Sequence, residues 1–255
     1  MKAIVLAAGE GVRLRPYTQD RPKCMVPFKK KAIIDYILDV MGACNLKDIV
    51  VINGYKKQIL EEHLSGHQIQ LYTNEKYGST NMVTTLFCAG KELNDDVIIS
   101  YSDIIYSSTV LELLLASSSD FSVVVDKNWW ELWELRMDEP LADAETMKLD
   151  NEGNIIELGK KPKSYDEIEG QYIGLIKISR KVINKVCQYY DSLDRAAVYD
   201  GKSFDNMYMT SFIQLIIDNL MPVKAVMIEG GWLEIDTVSD LERYDEAGLY
   251  DKFTV

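Results

Sequence analysis

The chain has 255 residues, 47% of them hydrophobic, which is enough to bury one sizeable core. Its formal charge of −12 argues against a nucleic-acid polymer as partner, and no apolar run is long enough to span a membrane. Cys24, Cys44, Cys88 and Cys187 lie far apart, with no C-x-x-C pair and no histidine cluster, which is the pattern of reduced thiols in a cytoplasmic protein.

The opening stretch MKAIVLAAGEG carries one charge before a short apolar run that ends in glycines. It reads as a buried first strand over 2–8 and not as a signal peptide. Residues 32–44 place Ile33, Ile34, Ile37, Leu38 and Met41 on one face of a helix. Strands are expected at 48–54, 69–73 and 121–126, and at 97–103 a strand that ends in an acid. Helices are expected at 56–64, 80–92 and 108–117. Such alternation predicts an α/β fold, a three-layer, Rossmann-like and mostly parallel sheet.

The rhythm then changes. Residues 146–159 carry a polar Asn-Glu-Gly-Asn turn between alternating segments and read as a hairpin, the start of a small inserted β-rich lobe. A strand at 171–179, helices at 180–193 and 207–220, a strand at 223–228 and a last helix near 237–247 complete the chain. The expected organisation is a single domain over 1–255, with a nucleotide-binding half through residue 126 and an acceptor-binding half over 127–255.

Charge is unevenly spread. Residues 1–31 hold Lys2, Arg13, Arg15, Arg21, Lys23, Lys29, Lys30 and Lys31 against Glu10 and Asp20, a net of +6 in an acidic protein. A basic segment that also bears glycines suggests a pocket for a compact polyanion. Gly9 and Gly11 follow the first strand and let backbone N–H groups approach phosphate oxygens, and Arg13 adds a bidentate cation. The loop is not a Walker A motif, and a dinucleotide fingerprint would need a third glycine where Leu14 stands. Ten residues on, Pro22 and Pro27 bracket Lys23 in a stiff loop, which makes its ammonium a well-placed point charge for phosphate.

Carboxylates for a divalent cation come from two places. Asp103 ends its strand at the edge where open α/β sheets bind ligands. Glu234 and Asp236 fall on one side of an extended segment, although Asp236 or Thr237 could equally cap the last helix. Ser79, Thr80 and Asn81 offer polar groups to a base as well as a helix cap. Trp129, Trp130 and Trp133 either close the core of the lobe or form an aromatic wall for a small acceptor.

LAAGEGVRL (6–14) followed by RPKCMVP (21–27) resembles the paired signature of the nucleotidyltransferase superfamily that contains sugar-nucleotide pyrophosphorylases and phosphocholine-type cytidylyltransferases. The family usually has Ser or Thr where this chain has Val12. The resemblance implies a magnesium-dependent transfer of a nucleoside monophosphate from an NTP to the phosphate of a small metabolite, with pyrophosphate released. By this resemblance Leu6, Ala8, Gly9, Glu10, Gly11, Arg13, Lys23, Ser79, Thr80, Asn81, Ser102 and Asp103 bind the nucleotide. Lys23, Arg13 and Asp103 act in catalysis, and Asp103, Glu234 and Asp236 hold Mg2+. Trp129, Trp133, Lys160, Lys161, Tyr172, Gly174 and Tyr208 bind the acceptor.

Where sugar-using members carry an acid, this chain has Gly159 or Lys160, which argues against a sugar phosphate. Residues 129–133, 159–174 and 205–210 look like the branch that uses CTP with phosphocholine, phosphonates or phosphoamino acids, above all the phosphoglutamine cytidylyltransferases of capsular phosphoramidate synthesis. The partners so implied are small molecules, with a homodimer as the assembly admitted. The rival readings are a UTP- or dTTP-dependent hexose-1-phosphate pyrophosphorylase and a non-catalytic nucleotide sensor.

Overall fold

The computed structural model describes residues 1–249. Residues 250–255, the end of the expected acceptor half, lie outside the described residues. Lys2–Ala7 (β1) is apolar almost throughout because both of its faces are covered. Ala3, Val5 and Ala7 join one layer of core, while Ile4 and Leu6 join the other. Asp48–Asn53 (β2), Ile69–Thr73 (β3), Val97–Tyr101 (β4), Phe121–Asp126 (β5), Gln171–Ile178 (β6) and Lys224–Ile228 (β7) complete a seven-stranded sheet. Its order is β7-β5-β6-β4-β1-β2-β3. Strand β6 runs antiparallel to β4 and β5, and the other pairs are parallel. The sheet is thus the mostly parallel one expected.

The helix Ile33–Ala43 buries the five residues its spacing predicts and adds Tyr36 and Val40. Each large apolar side chain contributes about 1.5–3 kcal/mol on full burial. Met147–Leu149 and Ile155–Leu158 form the expected hairpin, tied to the sheet where Ile155 donates to the Val223 carbonyl at 2.8 Å.

Three elements differ from expectation. The helix foreseen over 80–92 splits into Met82–Phe87 and a 3-10 turn Gly90–Glu92, since Cys88 and Ala89 donate to carbonyls three residues back and tighten the turn. The strand foreseen to residue 103 stops at Tyr101, bends through Ser102 and Asp103, and resumes as Ile104–Tyr106. The helix Trp129–Arg136 was not foreseen. Its buried stripe of Trp129, Leu132, Trp133 and Arg136 has helical spacing, but an arginine completes it.

Gly174 sits where β6 shifts register against β5. Its φ is +87°, and a Cβ there would stand 2.5 Å from a ring carbon of Tyr101. Gly174→Ala is expected to destabilise the fold by about 1–3 kcal/mol. The measurement is a lowered urea midpoint at constant m value, and an unchanged midpoint would mean that the Tyr101 ring yields freely.

Candidate active site

Strands β1 and β4 are parallel neighbours, with Leu6 opposite Tyr101, so the loops that follow them leave the same carboxyl edge of the sheet. Gly11 has φ +63°, and a Cβ on it would lie 2.9 Å from Cβ and Cγ of Lys23. Glycine is therefore what allows the Lys23 stem to cross this loop. Lys23 opens a 3-10 turn, Lys23–Met25, anchored by buried Cys24, and the adjoining Val26 is buried too.

A short ladder brings the distant acids to this point. Trp232–Glu234 pairs antiparallel with Ile104–Tyr106, and Ile235 donates its N–H to the Asp103 carbonyl at 2.8 Å. Thr237 caps the helix Val238–Glu246, accepting from the Asp240 N–H at 3.1 Å. The Asp240 carboxylate in return accepts from the N–H groups of Asp236 and Thr237, each at 2.8 Å. Thr237 and Asp240 thus do the capping, and the Asp236 side chain is left to the cleft.

The Lys23 ammonium donates to Asp103 Oδ2 at 2.7 Å and to Asp236 Oδ1 at 2.6 Å. Burial disfavours the charged ammonium, but the two carboxylates outweigh it and hold its pKa above the ordinary lysine range. Burial likewise opposes ionisation of Asp236, and Lys23 with Arg13 overcomes it, so the Asp236 pKa is lowered. Exposed Arg13 pairs with the second Asp236 oxygen. Asp103 Oδ1 is buried without a partner.

Glu234 takes a different course. Its carboxylate is committed to buried Arg136, which also pairs with Asp240 at 3.1 Å. Among the described residues no group of three or more His, Cys, Asp or Glu gathers closely enough to hold a metal ion. Of the three acids expected to hold the metal, Asp103 and Asp236 meet at Lys23, while Glu234 faces Arg136.

Three adjoining hollows make up the cleft. Leu6, Ala8, Gly9, Lys23, Thr80, Asn81, Ser102 and Asp103 line one of about 120 Å³. Gly11, Arg13, Glu234 and Asp236 border the next. Trp133, Tyr172, Gly174, Tyr208 and Trp232 line the third, of about 280 Å³.

Five expected site residues line none of these hollows. Glu10 leans toward Arg15 at 3.6 Å, and the exposed Ser79 hydroxyl donates to the Lys76 carbonyl at 3.2 Å. Trp129 is buried against Trp130, Trp133 and Tyr165. Lys160 pairs with Glu157, and Lys161 donates to the carbonyls of Leu141 and Ala142. Each has a local partner that satisfies it away from the cleft.

Trp232 and Glu145 line the third hollow and were not foreseen there. Trp232 stood in the sequence beside the Glu234–Asp236 pair, but nothing in spacing marks Glu145. Burial, reinforced by Asp143, Glu234 and Asp200, raises the Glu145 carboxyl to about 7. Its neutral form is favoured on folding, so its stabilising contribution is complete below the ordinary value of 4.5 and is lost as pH rises through about 7. Glu145→Gln should therefore gain stability over the parent chain between pH 5 and pH 8, on the order of 1–3 kcal/mol. Urea titrations at both pH values read the difference, and parallel pH profiles would contradict the burial of this charge.

Residues 2–131 match the nucleotidyl transferase family. Over 249 residues the chain is 48% identical to the CTP:phosphoglutamine cytidylyltransferase of Campylobacter jejuni, covering 95% of this chain and 98% of that one. The inositol-1-phosphate CTP transferase of T. maritima superimposes with a TM-score of 0.76 at 21% identity, over 99% of this chain and 94% of the other. The CTP:phosphocholine cytidylyltransferase of Streptococcus pneumoniae does so with a TM-score of 0.72 at 21% identity, over 96% and 98%. At such identity the two structures speak for the fold alone. The family match over the first half and the near full-length similarity agree with the converging loops, and the chain belongs to the nucleotidyl transferase family, as an enzyme of the cytidylyltransferase type.

Proposed function

We propose that this enzyme transfers CMP from CTP to the phosphate of a small non-sugar metabolite, phosphoglutamine, and releases pyrophosphate. The observation that carries the reading is the Lys23 ammonium held between Asp103 and Asp236 at the carboxyl edge of the sheet, beside the glycine loop. The similarity to a phosphoglutamine enzyme over nearly the full length supports the choice of substrates.

Residues 1–126 would take the nucleotide and the remainder the acceptor, within one domain. The two parts are stitched where Asn81 donates its N–H to the Asp205 carbonyl at 2.9 Å and Asn206 Nδ2 donates to the Ser79 carbonyl at 2.9 Å. Thr80 and Asn81 border the nucleotide hollow, although the Asn81 side-chain oxygen is already engaged by the Met82 N–H at 2.8 Å. Asn81 thus both caps its helix and faces the cleft.

Asp103 and Asp236 would hold the divalent cation, magnesium, and the buried, unpartnered Asp103 Oδ1 suits a ligand oxygen. Bound there with phosphate oxygens, the cation would offset charge on the pyrophosphate. Lys23 would contact the α-phosphate, and Arg13, exposed at the cleft mouth, the β- and γ-phosphates.

An acceptor oxygen forms a bond to the α-phosphorus while the bond to the β-bridging oxygen breaks, its electron pair leaving with pyrophosphate. A phosphoryl group is already anionic at neutral pH, so no general base is required. Positioning and charge stabilisation supply the rate.

Pyrophosphate release from CTP, UTP, ATP and GTP, with phosphorylated amines, amino acids and sugars as acceptors, tests the reading. CTP with phosphoglutamine should be the preferred pair, and a hexose 1-phosphate with UTP or dTTP as the preferred pair would replace it. Lys23→Ala is expected to lower kcat/KM by about a thousandfold. EDTA should abolish turnover and Mg2+ restore it. Near-normal rates for folded Lys23→Ala, checked by circular dichroism, would remove Lys23 from the mechanism.

A further inference from the structure

We propose that the Glu145 carboxylate receives the α-ammonium group of an amino-acid acceptor, which makes it the residue that selects an amino acid over an acceptor lacking a free amine. The proposal rests on reading the hollow lined by Trp133, Tyr172 and Trp232 as the acceptor site, and it adds the chemistry by which that site would choose.

Glu145 lines this hollow with Asp143 and Glu234. Glu234 is paired with Arg136, a cation it shares with Asp240, and Asp143 is exposed, whereas Glu145 is partly buried and has no ion-pair partner among the described residues. Acids crowd it, and Arg13, a cation that lines the same hollow, is paired with Asp236 instead. A carboxylate in such a place either stays protonated or takes its counter-charge from a ligand. The crowding that lifts its pKa would be relieved by an arriving ammonium.

The group is also held in position in advance. The buried Gln171 side chain, on β6, grips the Glu145 backbone at both ends. Its Oε1 accepts from the Glu145 N–H at 3.1 Å, and its Nε2 donates to the Glu145 carbonyl at 2.6 Å. No part of this clamp uses the carboxylate, which is left for the hollow. Ordering it before binding lowers the entropy lost on recognition.

An independent observation points to a polar ligand in the same space. Trp133 is 4% exposed and lines the hollow, yet its buried Nε1–H has no partner. An indole N–H is a donor only, so it asks for an oxygen, such as a carboxylate or carboxamide oxygen. A ligand with an ammonium and an acyl oxygen at one end would satisfy both the acid and the indole. An amino acid phosphorylated at its far end has that form, and the Asp103–Lys23–Asp236 group lies where the phosphate would be needed.

Calorimetric titration of phosphoglutamine and of N-α-acetyl-phosphoglutamine, with and without a non-hydrolysable CTP analogue, tests the assignment without requiring turnover. The parent enzyme should bind phosphoglutamine about tenfold or more tightly than the acetylated form. Glu145→Gln should lose about that factor for phosphoglutamine and show no preference between the two, with CTP affinity close to the parent's and a Tm at or above the parent's, as the removal of a buried charge requires. Glu145→Asp, which keeps the charge on a shorter arm, should fall between them. Equal binding of both ligands by the parent enzyme, binding of neither, or an undiminished preference in Glu145→Gln would overturn the proposal. Amine-dependent binding without pyrophosphate release under any condition would instead overturn the transferase reading and leave the role of Glu145 standing.

Discussion

One ammonium between two carboxylates organises this protein. Lys23 comes from the second loop, Asp103 from a bend after β4, and Asp236 from the turn before the last helix, and the three meet in hydrogen-bond contact. Removing the cation would leave two largely buried acids facing each other, and breaking a buried pair in this way typically costs about 3–5 kcal/mol. Much of the surrounding structure exists to keep the contact. Gly11 gives the lysine stem its path, the ladder of Ile104–Tyr106 with Trp232–Glu234 sets the spacing of the acids, and the Thr237–Asp240 cap frees the Asp236 carboxylate. The same contact brings residues far apart in sequence together, so folding of the final segment completes the cleft.

The frame of the fold was legible because it rests on local pattern. Short β-branched runs such as that within 121–126 read as strands covered on both faces, and the helix at 33–43 announces its stripe. The direction of β6 was not legible, since parallel and antiparallel strands share one alternation. The helix Trp129–Arg136 escaped because its stripe closes with Arg136, and the burial of Arg136 depends on Glu234 and Asp240, about a hundred residues away. Hydrophobicity alone cannot see a charge that is buried only because its counter-charges are buried with it.

The site divides on the same ground. Lys23, Arg13, Asp103 and Asp236 were legible because motif and strand-end position mark them, and the structure brings them together. Lys160 and Lys161 were drawn in by the resemblance, but each finds a partner nearby and lines none of the three hollows. Glu145 is one acid in an acidic chain with no distinctive spacing. What sets it apart is that it has no ion pair among the described residues and that Gln171 clamps its backbone, and both exist only after folding.

The cleft is polarised along its length, and that polarity follows from how charge was distributed in the sequence. The basic amino-terminal segment contributes Lys23 and Arg13 to the end bounded by the glycine loop. The acidic remainder contributes Asp143 and Glu145 to the other end, while Arg13 and Glu234 border both. Asp236 stands at the boundary, bonded to both Lys23 and Arg13, and keeps the cationic end from spreading into the acidic one. A molecule with phosphate at one end and ammonium at the other fits such a gradient in only one orientation. Reversing it would set phosphate against carboxylates and ammonium against Lys23, and like charges at close quarters in a partly buried cleft repel by several kcal/mol. On the proposed reading, orientation of the reacting phosphoryl oxygen toward the nucleotide would be a property of the whole cleft, set by the placing of charge before any single contact is made.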